Sequence, residues 1–183
     1  MKTVYLFVAD GFEEIEGLTV VDLLRRAGIA CHIISITGKD QVSGSHGIQI
    51  TADALFEATD FKNGDMLVLP GGMPGTNHLM AHAGLKELLA SYQAAGKYLA
   101  AICAAPSVLG QNGLLTGKKA TCYPGFEDKL TDAVPVTDSV VTDGTVITSR
   151  GLGTAIDFAL AIVESLSDSD TAKQLAASIQ YQK

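Results

Sequence analysis

The chain has 183 residues, enough for one sizeable domain and short for two. With 47% hydrophobic residues it can bury a core, which excludes a disordered tail-like protein. Its formal net charge is −7, from 13 basic and 20 acidic residues. No Lys/Arg run exceeds a pair, so the basic face that nucleic acid needs is absent and no nucleic-acid partner is expected.

In chain order, "KTVYLFVA" is a short apolar, β-branched run and reads as a buried strand. From Glu14 to Ala27, Ile15, Leu18, Val21 and Leu24 recur every three residues, which predicts a helix buried along that stripe. Acidic residues crowd its start, Arg25 and Arg26 close it, and Gly28 follows as a stop. "ACHIISIT" is a second strand, and "QVSGSHGIQIT", with turn residues between two β runs, predicts a hairpin. "DMLVLPGG" is a strand entering a Gly-Gly loop, "HAGLKELLASYQAAG" a helix stopping at Gly96, and "YLAAIC" another strand. "APSVLGQNGLL" begins a helix with Pro at its start, where a missing N–H is harmless. "KKATCYPGF" and "AVPVTDSVVTDGTVITS" supply further strands, "GTAIDFALAIVESL" a long helix, and "SDSDTAKQLAASIQYQK" a surface helix with Ser/Asp caps.

Strands alternating with helices predict an α/β layered fold with a mainly parallel sheet, here as a single domain over 1–183. The apolar stretches reach only about eight residues against the ~20 needed to span a bilayer, so no membrane association is expected. Asp10, Glu13 and Glu14 follow the first apolar run directly, which reads as a strand and not a signal peptide, and the expected compartment is the cytoplasm. Three cysteines, Cys31, Cys103 and Cys122, with no C-x-x-C spacing, argue against a disulfide framework and a cysteine zinc site.

Ligands of such folds sit beyond the carboxyl ends of the strands. "DGFEEIE", "PGGMPG" and "ICAAP" all lie at predicted strand ends and would meet in one crevice. Cys103 stands at a strand-to-helix junction among Ala101, Ala104 and Ala105, the small neighbours that a nucleophile elbow needs. The helix end beyond it would favour thiolate. The local pattern fits a buried structural thiol equally well. Gly71 and Gly72 let the backbone approach a ligand, and N–H groups of Gly72 and Ala104 could form an oxyanion hole, although a Gly-Gly pair also makes a plain turn. Glu13 and Glu14 read as solvated partners of the helix dipole. Glu16 alone reads more readily as a third surface acid than as a buried, protonated one able to serve sulfur. His78 and His82 are spaced i, i+4, yet "HLMAH" has Leu where a metalloprotease helix has Glu and no third ligand follows, so a surface pair and no metal site are expected.

"LPGG", "AAICAAP", "TSRGLGTAIDFALAIVE" and "DGFEEIE" before "VDLLRRAGI" together resemble the ThiJ/PfpI superfamily, and within it the Parkinson's-disease-associated DJ-one branch with its bacterial relatives. The resemblance runs to about Leu166 with its motifs in order. It implies a flavodoxin-like three-layer sandwich and a homodimer. It implies Cys103 as the reactive elbow cysteine, Glu16 as its carboxyl partner, Gly72 and Ala104 as oxyanion donors, and Arg26 as an anion-binding arginine near the dimer boundary; Gly71, from the Gly-Gly loop, and Tyr123, whose hydroxyl can hydrogen-bond a substrate oxygen, are expected as substrate-binding residues beside them. Activities in that family need no cofactor: glyoxalase III chemistry on methylglyoxal, deglycation of early glycation adducts, redox sensing through sulfinic acid, and chaperone action.

The sequence departs from the pattern at three positions. Ala104 stands where peptidase-like members carry His, Tyr123 where closer relatives place a His, and His46 where they have an arginine contributed across the dimer. With every histidine upstream of Cys103, a cysteine peptidase or amidotransferase lacks its usual acid–base partner. The leading expectation is a glyoxalase III-like hydro-lyase or deglycase-type hydrolase acting on a small aldehyde or glycated substrate. The alternative is a redox sensor or redox-regulated chaperone working through oxidation of Cys103.

Overall fold

The computed structural model describes residues 1–182; the last residue of the predicted domain and of the predicted terminal helix segment, residue 183, lies outside them. The chain runs through β1 (Thr3–Val8), α1 (Glu14–Arg26), β2 (Ala30–Ser35), the hairpin of β3 (Gln41–Ser43) and β4 (Gln49–Thr51), and β5 (Ala54–Leu55). It continues with β6 (Met66–Leu69), α2 (Gly75–Ala81), α3 (Ala83–Ala94), β7 (Tyr98–Ile102), α4 (Pro106–Gln111), β8 (Lys119–Ala120) and β9 (Val134–Pro135). The hairpin of β10 (Val140–Asp143) and β11 (Val146–Ser149) leads into α5 (Ala155–Leu166) and α6 (Ser169–Ser178).

A seven-stranded sheet in the order β10-β11-β7-β6-β1-β2-β5 forms the centre. All its neighbours are parallel except the β10–β11 edge pair. The period-2 alternation of β1 divides the core: Val4, Leu6 and Val8 pack with Val20, Leu24, Phe158 and Ile162 on the α1/α5 face, while Tyr5 and Phe7 pack with Leu67, Leu69, Leu85 and Leu89 on the other. This is the expected flavodoxin-like α/β architecture with helices on both faces. The chain steps from β1 outward to β2 on one side and returns to β6 and β7 on the other, so the direction of winding changes beside β1. In such sheets the crevice at that point collects ligands.

Two readings shift. On α1 the buried face is Gly17, Val20, Val21, Leu23 and Leu24, whereas Ile15 is 49% exposed and Leu18 half-buried. The predicted stripe counted only large apolar residues, whereas the small Gly17 is buried too: a Cβ there would lie 3.3 Å from Phe12 Cε2. "KKATCYPGF" contributes only the two residues of β8; Cys122 is buried beyond its end without pairing in a strand. Among the described residues no helix is long and apolar enough to cross a membrane.

Candidate active site

Three parallel strands end side by side: β1 leads through residues 9–13 into α1, β6 into the Pro70–Gly72 turn, and β7 into Cys103. Cys103 has φ +65°, a left-handed conformation that costs an L-residue roughly 1–2 kcal/mol. Its backbone is held from two directions. Its N–H donates to the carbonyl of Ser149 at 2.9 Å, and its carbonyl accepts from the N–H of Tyr123 at 2.8 Å. Ala104 and Ala105 are buried and Pro106 opens α4, so small residues let the chain turn sharply before the helix, as an elbow requires. Among the cysteines, Cys31 and Cys122 are buried and Cys103 is partly exposed.

Glu16, in the first turn of α1, is 1% exposed and not the surface acid that its composition alone suggests. Its Oε2 accepts from the N–H of Gly71 at 2.9 Å, and its carboxyl is hydrogen-bonded with the Cys103 thiol. Burial raises its pKa to about 7, with the nearby Glu13 adding to the rise and the hydrogen bonds from Cys103 and Gly71 opposing it. Burial also pushes the Cys103 thiol up, to about 12, helped by the charge and hydrogen bond of Glu16; the N–H groups of Ala104 and Gly72 face the sulfur and pull the other way. The two groups titrate as one pair that carries a single negative charge over a wide range above neutrality. Two N–H donors await that charge on sulfur, and Gly71 N–H awaits it on the carboxylate.

Gly71 and Gly72 have separate geometric reasons. A Cβ on Gly71 would lie 2.5 Å from Cys103 Cβ and 2.6 Å from Glu16 Oε2. Gly72, at φ +90°, abuts the 11–13 backbone, where a Cβ would come within 2.3 Å of Glu13 N. Tyr123 is 51% exposed, with its ring edge-on to Phe126. Gly151 joins the site although its spacing singles out nothing: a Cβ there would meet the Tyr123 ring at 3.4 Å and Glu16 Oε1 at 3.8 Å. Its only sequence signal is a glycine just past a predicted strand, in "SRGLG".

Other predicted residues fall elsewhere. Within one chain Arg26 stands apart from the sulfur, near the opposite end of α1 and about 15 Å of helix axis from Glu16; it pairs with Asp22 at 2.7 Å. His78 and His82 do not share a helix face, because α2 ends at Ala81 and His82 caps α3, accepting from Leu85 N–H at 3.0 Å. Glu14 is not solvated: it is 1% exposed and turned toward the 44–48 turn.

Residues 2–165 match the DJ-1/PfpI family. The chain is 38% identical over 177 residues to the protein dj-1beta of Drosophila melanogaster, covering 96% of this chain and 95% of that one. It is 35% identical over 156 residues to the glutathione-independent glyoxalase DJR-1.2 of Caenorhabditis elegans, covering 84% and 82%. The solved structure of Toxoplasma gondii DJ-1 in its oxidized form superposes with a TM-score of 0.96 at 37% identity, covering 100% of both chains. On the match across nearly its whole length, the chain belongs to the DJ-1/PfpI family.

Proposed function

We propose that the protein is a cofactor-free, cysteine-dependent enzyme converting small α-oxoaldehydes such as methylglyoxal to hydroxy acids, or hydrolysing the early glycation adducts that such aldehydes form. One observation carries this reading: the left-handed Cys103 places its sulfur against the buried carboxyl of Glu16 and the N–H groups of Gly72 and Ala104. The relative that is a glutathione-independent glyoxalase supports the reaction class.

With the shared proton on Glu16, the Cys103 thiolate adds to the aldehyde carbon. The oxygen that gains the electron pair is held by the Gly72 and Ala104 N–H groups and takes the Glu16 proton, giving a hemithioacetal. Glu16 carboxylate then removes the hydrogen of the former aldehyde carbon as a proton. The resulting enediol is reprotonated on the neighbouring carbon, so one carbon is oxidised and the other reduced with no external redox partner. The product is a thioester of the hydroxy acid. Water attacks its carbonyl, the C–S bond breaks, and hydroxy acid leaves with the thiolate restored. Glu16 serves both as acid and base, which suits a pKa raised to about 7. Gly151 lies between the Tyr123 ring and the Glu16 carboxyl, and both Gly151 and Tyr123 are assigned to contact the substrate.

Lactate formation from methylglyoxal tests this directly. Cys103→Ser is expected to abolish it and Glu16→Gln to lower it by at least about 100-fold, the range of a lost general acid–base. Undiminished lactate production by Cys103→Ser would sink the mechanism.

A second reading rests on exposure: of three thiols only Cys103 is reachable, and a structural relative is described as oxidized. Mild peroxide should then add two oxygens to Cys103 alone, as seen by intact mass and peptide mapping. Equal modification of Cys31 and Cys122 would count against it. Under either reading a reducing compartment and a homodimer are expected; the half-exposed Ile15 on α1 and Ile48 beside the hairpin turn support a covered face.

A further inference from the structure

We propose that the pocket beyond the carboxyl ends of β1 and β2 is a second small-molecule site, one that takes an α-amino amide: a primary ammonium with a carbonyl beside it and a short apolar side chain. The pocket encloses about 370 Å³, within the range of ligand cavities. Asp10 lines it just past β1, Ile36 just past β2, His78 and Ala81 from α2, and His82 from the α2–α3 junction. Through Leu79, α2 packs on the Leu85/Leu89 side of the sheet, whereas α1 and, through Val42, the β3–β4 hairpin pack on the other. The pocket thus lies across the sheet from the α1 and hairpin surface, and neither Cys103 nor Glu16 lines it.

Backbone bonds give the two imidazoles opposite roles. His78 Nδ1 lies 3.0 Å from the carbonyl oxygen of Asp10, which can only accept, so Nδ1 carries the proton and Nε2 keeps its lone pair. His82 Nδ1 accepts from the Leu85 N–H at 3.0 Å, so Nδ1 is bare and Nε2–H is the donor. The His82 ring is held edge-on against Phe56, with centroids 4.6 Å apart. One metal ion cannot use both Nε2 atoms, because one of them bears hydrogen. A ligand with its own donor and acceptor can.

Asp10 adds the charge. Its Oδ1 accepts from the Ser43 N–H at 2.9 Å, and among the described residues no cation pairs with the carboxylate. No lysine or arginine lines the pocket. The remaining polar side chain, Thr37, is already engaged with the Ser35 hydroxyl and the Lys39 carbonyl. The set is one carboxylate, one imidazole acceptor and one imidazole donor beside an apolar wall of Ala9, Ile36 and Ala81. An ammonium donates to Asp10 and to His78 Nε2, the neighbouring carbonyl accepts from His82 Nε2–H, and the side chain covers the wall. A free amino acid would bring a second carboxylate toward Asp10, and like charges repel, so the amide is favoured.

The test is a titration of leucinamide into the full chain, followed by its backbone amide resonances. Saturable shifts are expected at Asp10, Thr37, His78 and Ala81, with a Kd of about 1 mM for a ligand of this size. 4-Methylpentanamide has the same skeleton without the ammonium and should bind at least about tenfold more weakly, the loss expected of one charge-assisted hydrogen bond. Three asparagine substitutions each delete one pocket atom and keep the local bond. In Asp10→Asn the side-chain oxygen still accepts from Ser43, in His78→Asn the amide nitrogen still donates to the Asp10 carbonyl, and in His82→Asn the amide oxygen still caps α3. Asp10→Asn should weaken leucinamide at least about tenfold and each histidine variant at least about threefold, with thermal melts showing all three folded. His32→Asn, on β2 and outside the pocket, should leave the affinity unchanged. Absence of saturable shifts at the pocket, shifts centred on Ala104 and Tyr123 instead, equal affinity for 4-methylpentanamide, or an affinity unchanged by any of the three asparagine substitutions would each overturn the site.

Discussion

Gly71 and Cys103 stand so close that a methyl group on the glycine would lie 2.5 Å from the cysteine Cβ and 3.0 Å from its sulfur. The same methyl would strike Glu16 Oε2 at 2.6 Å, so it would part the sulfur from the carboxyl. Gly71→Ala is expected to cost about 1–3 kcal/mol, the usual penalty of overpacking, and to lose most turnover. Denaturant melts and the lactate assay check this together. Wild-type activity in Gly71→Ala would show that the pair does not need its present spacing.

The conformation of Cys103 gives a comparison that side-chain chemistry cannot confuse. At φ +65° alanine is strained and glycine is not. Cys103→Gly should therefore be more stable than Cys103→Ala by about 1 kcal/mol. Equal stability of the two variants would mean that the left-handed turn relaxes once the thiol is gone.

Glu16 makes stability depend on pH with a defined sign. Its folded pKa, about 7, lies above the ordinary 4.5, so the folded state holds more protons between those values. Stability from this group is full below 4.5 and is lost as pH rises through 7. The loss is at most about 3 kcal/mol. Glu16→Gln mimics the protonated acid and should flatten that decline in thermal melts across the range. Glu14 has the opposite sign and a lower window, its contribution fading as pH falls from 4.5 toward 2. A slope unchanged by Glu16→Gln would assign the decline to another group.

Tyr123→Phe separates filling from chemistry. The ring is half exposed, so removing the hydroxyl should change stability by less than about 0.5 kcal/mol. A phenol is a poor base at neutral pH, and Glu16 already handles protons, so turnover should remain within about tenfold of wild type. A loss comparable with that of Glu16→Gln would make Tyr123 a proton carrier.

Gly44→Ala tests whether the hairpin turn depends on the enclosed Glu14. A Cβ at residue 44 would lie 2.2 Å from Glu14 Cδ, against a side chain that cannot swing freely because its oxygens are bound. The expected cost is about 1–3 kcal/mol. Hydrogen exchange should rise at the N–H groups of His46 and Ile48, which donate to that carboxylate. Unchanged protection there would show that the turn holds itself.

The elements most readable in the sequence were those whose cause is local. Alternation and run length marked β1, β6 and β7, and alanines before a proline marked the turn at Cys103. Gly71 and Gly72 were visible as a pair, though not the two separate contacts they permit. Glu16 was ambiguous because its burial comes from β6 and β7, far along the chain. Glu14 was misread for the same reason: the turn that encloses it begins some 30 residues later, and its bond to His46 spans 32 residues. Ile15 was assigned to the core because hydropathy counts size, while the buried face of α1 includes the small Gly17.

The two backbone bonds at Cys103 tie one residue to two further segments, Ser149 at the end of β11 and Tyr123 beyond β8. The sulfur is thus located by a junction of three stretches of chain and not by a flexible loop. Alkylation of this thiol at its native rate becomes a report on whether that junction is closed. As denaturant is added, its characteristic rate should disappear in the same transition as the central sheet, and a variant that loosens β11 should alter labelling of a cysteine some 45 residues earlier in the chain.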